Sequence, residues 1–368
     1  MELISMLGDT LYTIAGMFWK ILWALILGFA ISGAVQAFVP KRRMVQVMGD
    51  DSAASLSRAG FFGAISSSCS YAAAAMSRSV FLRGAHITAA IAFMIAATNL
   101  VIELGFVLWS LMGWQFVVAE FAGGVLLIIV MALLMKIAAP VAAFDRVREA
   151  QTNDADEDDA AVPSLLSVDG WRQAAANFMM DWSMIWKDIA IGVIVAGAMV
   201  VWVPDTFWQA LFLSGGSEDS VSLLQMIENA LVGPLVAVVS FVCSVGNVPL
   251  AAALFNGGIS FGGALAFIYG DLIVIPMLLV YRQYYGTRLA AILGVILYIA
   301  MAVTGFVIDL VFSFGGWAPT SSAVDVGSMR FFSFDYTFWL NLIFIAVGAG
   351  LWVLSKQASG HAHCGHHH

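Results

Sequence analysis

Long apolar segments alternate with short polar stretches over most of the chain. Seven of these segments are long enough to cross a hydrocarbon core of about 30 Å, and we predict them as membrane-spanning helices. They run over Tyr12 to Val39, Ala85 to Met112, Gln115 to Ala138, Asp181 to Val203, Ile259 to Tyr281, Arg288 to Phe314 and Thr337 to Ser355. The pattern therefore predicts an all-α polytopic membrane protein.

Two further apolar segments, Gly60 to Phe81 and Leu231 to Phe255, contain polar and helix-breaking residues. The first holds SSSCS at residues 66–70, and the second holds FVCSVGNVP at residues 241–249. Lipid does not satisfy the backbone groups that such interruptions expose, so a continuous lipid-facing helix is disfavoured. We predict that both segments are re-entrant or broken helices.

The basic residues test this topology, because Lys and Arg concentrate on the cytoplasmic side of short loops. With an external N-terminus and two re-entrant segments, nearly all basic residues fall inside or at the inner interface. If Gly60 to Phe81 crossed the bilayer, Arg78 and Arg83 would lie opposite Lys41 to Arg43. The charges therefore predict a multi-pass protein of the inner or plasma membrane with a cytoplasmic C-terminus.

Landmarks in the first half of the chain recur in the second half in the same order. Cys-Ser stands at Cys69 and again at Cys243, and an Ala-Phe pair begins 23 residues after each cysteine. A polar residue before an aliphatic run follows each pair, Asn99 in one half and Asp271 in the other. Each half makes three full crossings, so the second would enter the membrane inverted, which is the inverted-repeat plan of secondary transporters.

This repeat divides the chain into five predicted parts. Residues 1–139 form the first membrane repeat, and residues 176–314 form the second, inverted repeat, with a cytoplasmic acidic linker at 140–175 between them. Residues 315–355 add an extra C-terminal span, and residues 356–368 form a His-rich tail. Each repeat should contain a span, a re-entrant or broken helix and two further spans.

The composition fits a membrane protein and excludes several classes. Of the 368 residues, 61% are hydrophobic and 11% charged, and the mean hydropathy is +0.91. The net charge of −8 owes much to the linker sequence NDADEDD, which is typical of a solvated loop. Three cysteines give no disulfide framework. We expect a small solute or ion and the lipid bilayer as partners, no nucleic acid and no cofactor, and the sequence carries no signal for an oligomeric state.

The two predicted breaks carry the candidate solute-binding residues. Ser68 or Ser70 can cap a helix that begins at the first break, and Asn247 can cap one at the second. Unpaired N–H groups at such helix starts attract an anion or a polarised solute. The candidate substrate-binding residues are Cys69, Cys243, Ser68, Ser70, Ser244, Asn247, Asn99 and Asp271.

Cys69 and Cys243 occupy equivalent positions at the two breaks. An in-plane pseudo-two-fold axis would bring their sulfurs close to each other. Two thiolates suit a soft metal ion or a trivalent metalloid, whereas the alternative is that both side chains pack as small inert hydrophobes. The duplication raises the weight of the ligand interpretation, and both interpretations stay open.

Asp271 and Glu103 are the candidate proton-coupling residues. Ionisable groups deep in a span are costly and usually face a cavity, a partner or a proton route. Glu103 shares a helix face with Asn99, four residues earlier. A structural hydrogen bond to a neighbouring break is the alternative role for Asp271. Asp309 lies nearer the end of its span, so we expect it at a solvated interface.

The C-terminal sequence HAHCGHHH is a candidate transition-metal tract. Its possible ligands are His361, His363, Cys364 and His366. A passive chain end is the equal alternative.

The Cys-Ser pairs, with NVPLAAALFNGGISFGGALAFIYGDLIVIP after the second, resemble the predicted-permease family that includes the methylarsenite efflux permease ArsP and YraQ-like relatives. The resemblance runs from Trp19 to about Phe314 and is clearest from Cys243 to Pro276. It implies an inner-membrane permease and, for the ArsP branch, efflux of trivalent organoarsenicals.

The sequence therefore supports three functional hypotheses besides that of a passive channel, which would conduct without proton coupling. The first is a secondary transporter that exports a thiophilic solute in exchange for protons by alternating access. The second is a carrier for a small inorganic or organic anion held at half-helix N-termini. The third, a membrane-embedded thiol enzyme, needs a base near the sulfur. His86 is the only histidine in the apolar region and stands at a predicted inner boundary, so we expect no enzyme.

Overall fold

The structure is a computed structural model, and its described part is almost entirely α-helical. It describes residues 2–38, 46–66, 69–152, 163–164, 167–202, 222–240, 244–256, 258–319 and 336–362. No strand occurs within these ranges. The predicted all-α class is therefore confirmed for the described residues.

The helices of the first half of the chain are α1 (Glu2–Phe38), α2 (Ala53–Ser66), α3 (Ser70–Leu82), α4 (Ile87–Asn99), α5 (Ile102–Met112), α6 (Trp114–Ala138) and α7 (Val141–Thr152). Those of the second half are α8 (Val168–Trp202), α9 (Leu223–Ser240), α10 (Ser244–Asn256), α11 (Phe261–Tyr269), α12 (Ile275–Tyr285), α13 (Thr287–Gly315) and α14 (Tyr336–Ala362). A 3₁₀ turn at Gly270–Ile273 connects α11 to α12.

Several helices have the length and composition of membrane spans. Among the described residues, three uninterrupted helices qualify: Trp114–Ala138, Thr287–Gly315 and Tyr336–Lys356. A fourth crossing results if Phe261–Ile273 and Ile275–Tyr285, bent by 42° at their junction, form one span. All four coincide with predicted spans. Helices α1 and α8 cover two further predicted spans and begin before them, at Glu2 and Val168.

The first predicted break is present. Helix α2 ends at Ser66 and α3 begins at Ser70, with Cys69 in an extended conformation (φ −68°, ψ 160°) before it. The prediction of a broken helix is confirmed here. Helices α9 and α10 flank the second predicted break, whose residues 241–243 lie outside the described ranges.

Two segments predicted as continuous spans are also broken, so that part of the prediction was wrong. Helix α4 ends at Asn99, whose side-chain amide donates to the carbonyl of Ile95 at 3.2 Å and thereby competes with helical backbone bonding. In the second half the chain leaves the helix at Gly270–Ile273 and restarts before Pro276, which fits only the first turn of a helix because it has no N–H to donate. Asn99 and Asp271 therefore stand at breaks rather than within regular spans.

Corresponding helix pairs in the two halves are in direct backbone contact. A Cβ atom on Gly63 would lie 2.3 Å from the carbonyl oxygen of Phe93, so α2 packs closely on α4. A Cβ atom on Gly233 would lie 2.5 Å from the carbonyl oxygen of Gly263, so α9 packs closely on α11. Small residues permit such an approach between helices in a membrane.

Helices α1, α8 and α14 pack against one another. Phe29 of α1 meets Trp182 of α8 edge to face, with ring centroids 5.6 Å apart. The amide of Asn341 in α14 donates to the carbonyl of Trp19 at 2.7 Å. The predicted extra C-terminal span is thus fixed against the first helix of the chain.

The segment predicted as an acidic linker is partly helical. Residues 140–175 contain α7 and the first turns of α8. The acidic stretch at 153–162 lies outside the described residues. The division of the chain into five parts stays a prediction.

Substituting Gly63 tests the α2–α4 contact. Gly63→Val should destabilise the detergent-solubilised protein by about 1–3 kcal/mol, because the new side chain overpacks a backbone contact. Gly60→Ala on the same helix is the control, since its Cβ would meet only Ile128, at 3.9 Å. Thermal unfolding monitored by size-exclusion chromatography compares the two. Equal melting temperatures for both variants would contradict the packing.

Candidate functional site

The start of α3 contacts the 3₁₀ turn of the second half. Ser70 Oγ donates to Asp271 Oδ2 at 2.5 Å, across 201 positions of sequence. Both side chains are buried. A short hydrogen bond to a carboxylate is stronger than one between neutral groups. The first predicted break therefore holds the carboxylate that the sequence singled out in the other half.

A second buried carboxyl group, Glu120 of α6, lies beside this contact. The Tyr269 hydroxyl donates to the backbone carbonyl of Glu120 at 3.1 Å and approaches that of Ala119 at 3.4 Å. A Cβ atom on Gly123 would lie 2.3 Å from the Tyr269 hydroxyl, so this approach requires glycine. Glu120 is 0% exposed, and it interacts electrostatically with Asp271.

Asn99 is a further buried polar residue that lies close to α6. It is fully buried, and its amide donates to Thr98 Oγ1 at 3.0 Å as well as to Ile95. A Cβ atom on Gly124, one turn after Glu120, would lie 3.9 Å from Asn99 Cβ. Asn99 thus faces the same part of α6. We call Ser70, Asn99, Glu120, Tyr269 and Asp271 the buried polar cluster.

Glu120, like Tyr269, is a member of the cluster that the sequence analysis missed. It stands within the predicted span Gln115 to Ala138, where a single carboxylate among apolar residues was the available signal. It has no counterpart among the landmarks of the repeat, which directed attention to the cysteines and to Asn99 and Asp271.

Cys69 immediately precedes the Ser70–Asp271 contact. Its residue is 9% exposed, and its carbonyl accepts the N–H of Ala73 at 2.8 Å in the first turn of α3. Cys69 rather than a serine therefore occupies the N-cap position, and it makes no side-chain capping bond. The prediction that Ser70 caps α3 was wrong, because its hydroxyl bonds to Asp271 instead.

Asn247 also has a different role from the predicted one. It lies four residues into α10, which begins at Ser244, and so is inside the helix rather than at its cap. Its buried amide donates to the carbonyl of Ile268 at 3.5 Å. Asn247 thereby ties α10 to α11 next to the buried polar cluster.

Asp309 is buried, so its predicted place at a solvated interface was wrong. Its carboxylate accepts hydrogen bonds from the Ser260 side chain and from the backbone of Gly262, at the start of α11. The first N–H groups of a helix need acceptors, and α13 supplies one here. This carboxylate has a structural partner that sequence position does not reveal.

The remaining predicted site residues are not described in side-chain detail. These are Ser68, Cys243, Ser244, Glu103, His361, His363, Cys364 and His366. The approach of the two cysteine sulfurs and the metal-binding tail therefore stay predictions. Within the described part of the chain, no group of three or more His, Cys, Asp or Glu side chains could hold a metal ion.

His86 is poorly placed to activate Cys69. It caps the start of α4, where its Nδ1 atom accepts the N–H of Thr88 at 3.3 Å. Helix α3, with 13 residues, lies between the two residues and is about 20 Å long. His86 is therefore not the base that a thiol enzyme would need.

Comparison with known sequences identifies the family. Residues 6–310 match the family model ArsP_1, described as a predicted permease. This region contains every member of the buried polar cluster. The chain belongs to the ArsP_1 permease family. The resemblance noted from the Cys-Ser motifs is thereby confirmed, and the protein is a multi-pass membrane permease rather than an enzyme.

A relative from a known organism supports the same conclusion. The permease is 44% identical over 336 residues to "Putative permease Rv2963" of Mycobacterium tuberculosis (strain ATCC 25618 / H37Rv). The match covers 88% of this chain and 81% of that protein. No solved structure matches the permease.

Removing the Ser70 hydroxyl tests the contact between the halves. Ser70→Ala should lower the free energy of unfolding in mixed micelles by about 1–3 kcal/mol, because a buried carboxylate loses a donor. Ser66→Ala is the control, since its hydroxyl bonds only within α2, to Gly63. In a cycle with Asp271→Asn, the double variant should lose less than the sum of the single variants. Additive losses would contradict the contact.

Proposed function

We propose that this permease is a secondary transporter that exports a small thiophilic solute, such as a trivalent arsenical or a soft metal ion, in exchange for protons. The observation that carries the proposal is that Cys69 adjoins the Ser70–Asp271 hydrogen bond, where the two halves of the chain meet. Sulfur is the preferred ligand of soft metals and metalloids. A buried carboxylate can bind and release the exchanged proton.

Solute contact is assigned in this proposal to Cys69 and Cys243, with Ser68, Ser70, Ser244, Asn247 and Asn99 lining the site. Proton coupling is assigned to Asp271 and Glu103. The burial of Ser70, Asn99, Asn247 and Asp271 supports a shared polar region enclosed by apolar side chains. Such regions inside a membrane protein usually mark a solute or ion pathway.

The packing of the described helices supports an inverted repeat. Helix α2 packs on α4 and α9 packs on α11, while α4 packs on α6 and α11 packs on α13. Contacts between the halves also come in pairs, since α3 meets α12 and α10 meets α5. Two halves built alike can rock against each other and expose one site to either side in turn.

Contacts at the far end of α3 support a closed gate. The Arg78 guanidinium lies 4.9 Å from the centroid of the Tyr284 ring, and the Phe81 and Tyr285 rings are 5.8 Å apart. Gln151 of α7 donates to the carbonyl of Tyr284 at 2.8 Å and accepts from Arg78 at 3.1 Å. We call Arg78, Phe81, Gln151, Tyr284 and Tyr285 the α3–α12 clamp. Its opening would give the solute access from that side.

The anion carrier is the weaker alternative. The Asp271 carboxylate already bonds to Ser70 in the first turn of α3. A second negative charge at that helix start would be repelled by it. A neutral or cationic soft solute fits this surrounding better than an inorganic anion.

The cellular setting follows from the charge distribution. We propose the cell membrane, with the N-terminus outside and the C-terminus in the cytoplasm. The clustering of Lys41, Arg42, Arg43, Arg146 and Arg148 on one predicted side supports this orientation. The α3–α12 clamp then faces the cytoplasm.

Replacing both cysteines tests the substrate class. Cells that lack their own arsenical efflux should survive phenylarsine oxide better when they produce the permease. Cys69→Ser combined with Cys243→Ser should remove most of that resistance, because hydroxyl groups bind the metalloid poorly. Cys364→Ser, in the C-terminal tail, is the matched control. Full resistance in the double variant would favour cysteines that only pack. No protection by the wild type against arsenicals, antimony or copper would refute the substrate class.

Weakening the clamp tests the gate. Arg78→Ala should raise the rate at which a cytoplasmic maleimide labels Cys69 several-fold, in a background with Cys243→Ser and Cys364→Ser. The reason is that the cation–π contact and the bond to Gln151 are both lost. Arg146→Ala is the control, because Arg146 is exposed and bonds only within α7. Equal labelling rates in both variants would contradict gating by the clamp.

A further inference from the structure

We propose that Glu120 is a second proton-binding residue of the permease and exchanges its proton with Asp271. The inference rests on the proposed coupling to protons. It adds a residue on α6 that neither the repeat nor the family assignment indicates.

The surroundings of Glu120 favour its neutral form. Its side chain is completely buried, and among the described residues no cation pairs with its carboxylate, whose one nearby donor is the Tyr269 hydroxyl. An ionised carboxylate in an apolar environment requires a partner charge or several donors. Glu120 has no partner cation there and one donor rather than several, so in this proposal it carries a proton in this conformation.

The described groups around Glu120 come from three elements. Helix α11 contributes Tyr269, whose hydroxyl is bonded to the backbone of Glu120, and the 3₁₀ turn contributes Asp271. Helix α4 contributes the uncharged Asn99 next to Gly124. Asp309 of α13 faces the start of α11 instead, and the Glu103 side chain on α5 lies outside the described residues. Among the described residues, Asp271 is the titratable group that acts on Glu120 through its charge, in addition to the hydrogen-bonding Tyr269.

Two neighbouring carboxyl groups in a buried site cannot both ionise at low cost. With Asp271 ionised and bonded to Ser70, Glu120 keeps its proton. If α3 withdraws Ser70, the Asp271 carboxylate loses this donor and becomes the better proton acceptor. The proton then moves from the Glu120 carboxyl oxygen to that of Asp271, which leaves one acid and one carboxylate before and after the step.

This transfer links the conformation of α3 to the position of a proton. Asp271 is adjacent to the proposed solute site. Glu120 lies on α6, where its backbone carbonyl accepts a hydrogen bond from Tyr269. Glu120 keeps its proton while Ser70 is hydrogen-bonded to Asp271. When that hydrogen bond breaks, the proton moves to Asp271. Glu120 thus binds the exchanged proton during the part of the cycle in which Asp271 is ionised.

Infrared spectroscopy of the permease in lipid membranes tests the proposal directly. Buried protonated carboxyl groups absorb at a different infrared frequency from ionised carboxylates. The wild type should retain such a band at neutral pH, and Glu120→Gln should lose it. Glu149→Gln, an exposed position on α7, is the matched control and should keep it. Ser70→Ala should shift the pH at which the band titrates, since it removes one donor to Asp271.

A transport measurement gives the second readout. Proteoliposomes with phenylarsine oxide should show uphill movement driven by a pH gradient in the wild type. Glu120→Gln should lose this uphill movement but retain solute exchange at equal pH, which needs no net proton transfer. The Glu149→Gln protein should retain both.

The outcomes separate this inference from the proposed function. A band unchanged in Glu120→Gln, or undiminished uphill transport by that variant, would overturn the role of Glu120. Wild-type protein that fails to move the arsenical would refute the proposed substrate only, because the infrared band does not depend on a solute. Loss of the band in a variant that still elutes as a single monodisperse species supports the inference.

Discussion

The hydrogen bond between Ser70 and Asp271 is the constraint on which the site depends. It forms between interrupted helices from opposite halves of the chain, both buried where water cannot replace the missing partner. A buried donor or acceptor without its partner is expensive. The bond therefore fixes the start of α3 against the 3₁₀ turn. Cys69, which directly precedes Ser70, is held at the same place.

The same requirement explains how further breaks are tolerated inside an apolar fold. The Tyr281 hydroxyl donates to the carbonyl of Leu272 at 2.9 Å, within the 3₁₀ turn. Asp309 accepts the N–H of Gly262 in the first turn of α11, and Asn247 donates to the carbonyl of Ile268 near the end of that helix. Each of these three positions is thus matched by a polar side chain from another helix. Broken helices in a membrane depend on such replacements.

The sequence predicts the spans and the first break because their signals are local. Apolar length identifies α6, α13 and α14, and the hydroxyl-rich stretch before Cys69 identifies the start of α3. The breaks at Asn99 and Asp271 escaped prediction, since both occur in segments whose overall hydropathy is that of a continuous span. Glu120 and Asp309 were missed or misplaced for a related reason. Their partners lie on other helices, and one sequence does not reveal which helices are neighbours.

Helix α3 is held at both of its ends, by the Ser70–Asp271 bond to the 3₁₀ turn that precedes α12 and by the α3–α12 clamp to α12 itself. An α-helix of 13 residues behaves over this length, about 20 Å, as a stiff rod. A tilt of α3 that moves Arg78 and Phe81 away from α12 also strains the Ser70–Asp271 hydrogen bond at the opposite end of α3. In the proposed transport cycle, the same movement of α3 would therefore change the hydrogen bonding of Asp271 and open the α3–α12 clamp, without a separate chain of residues between the two.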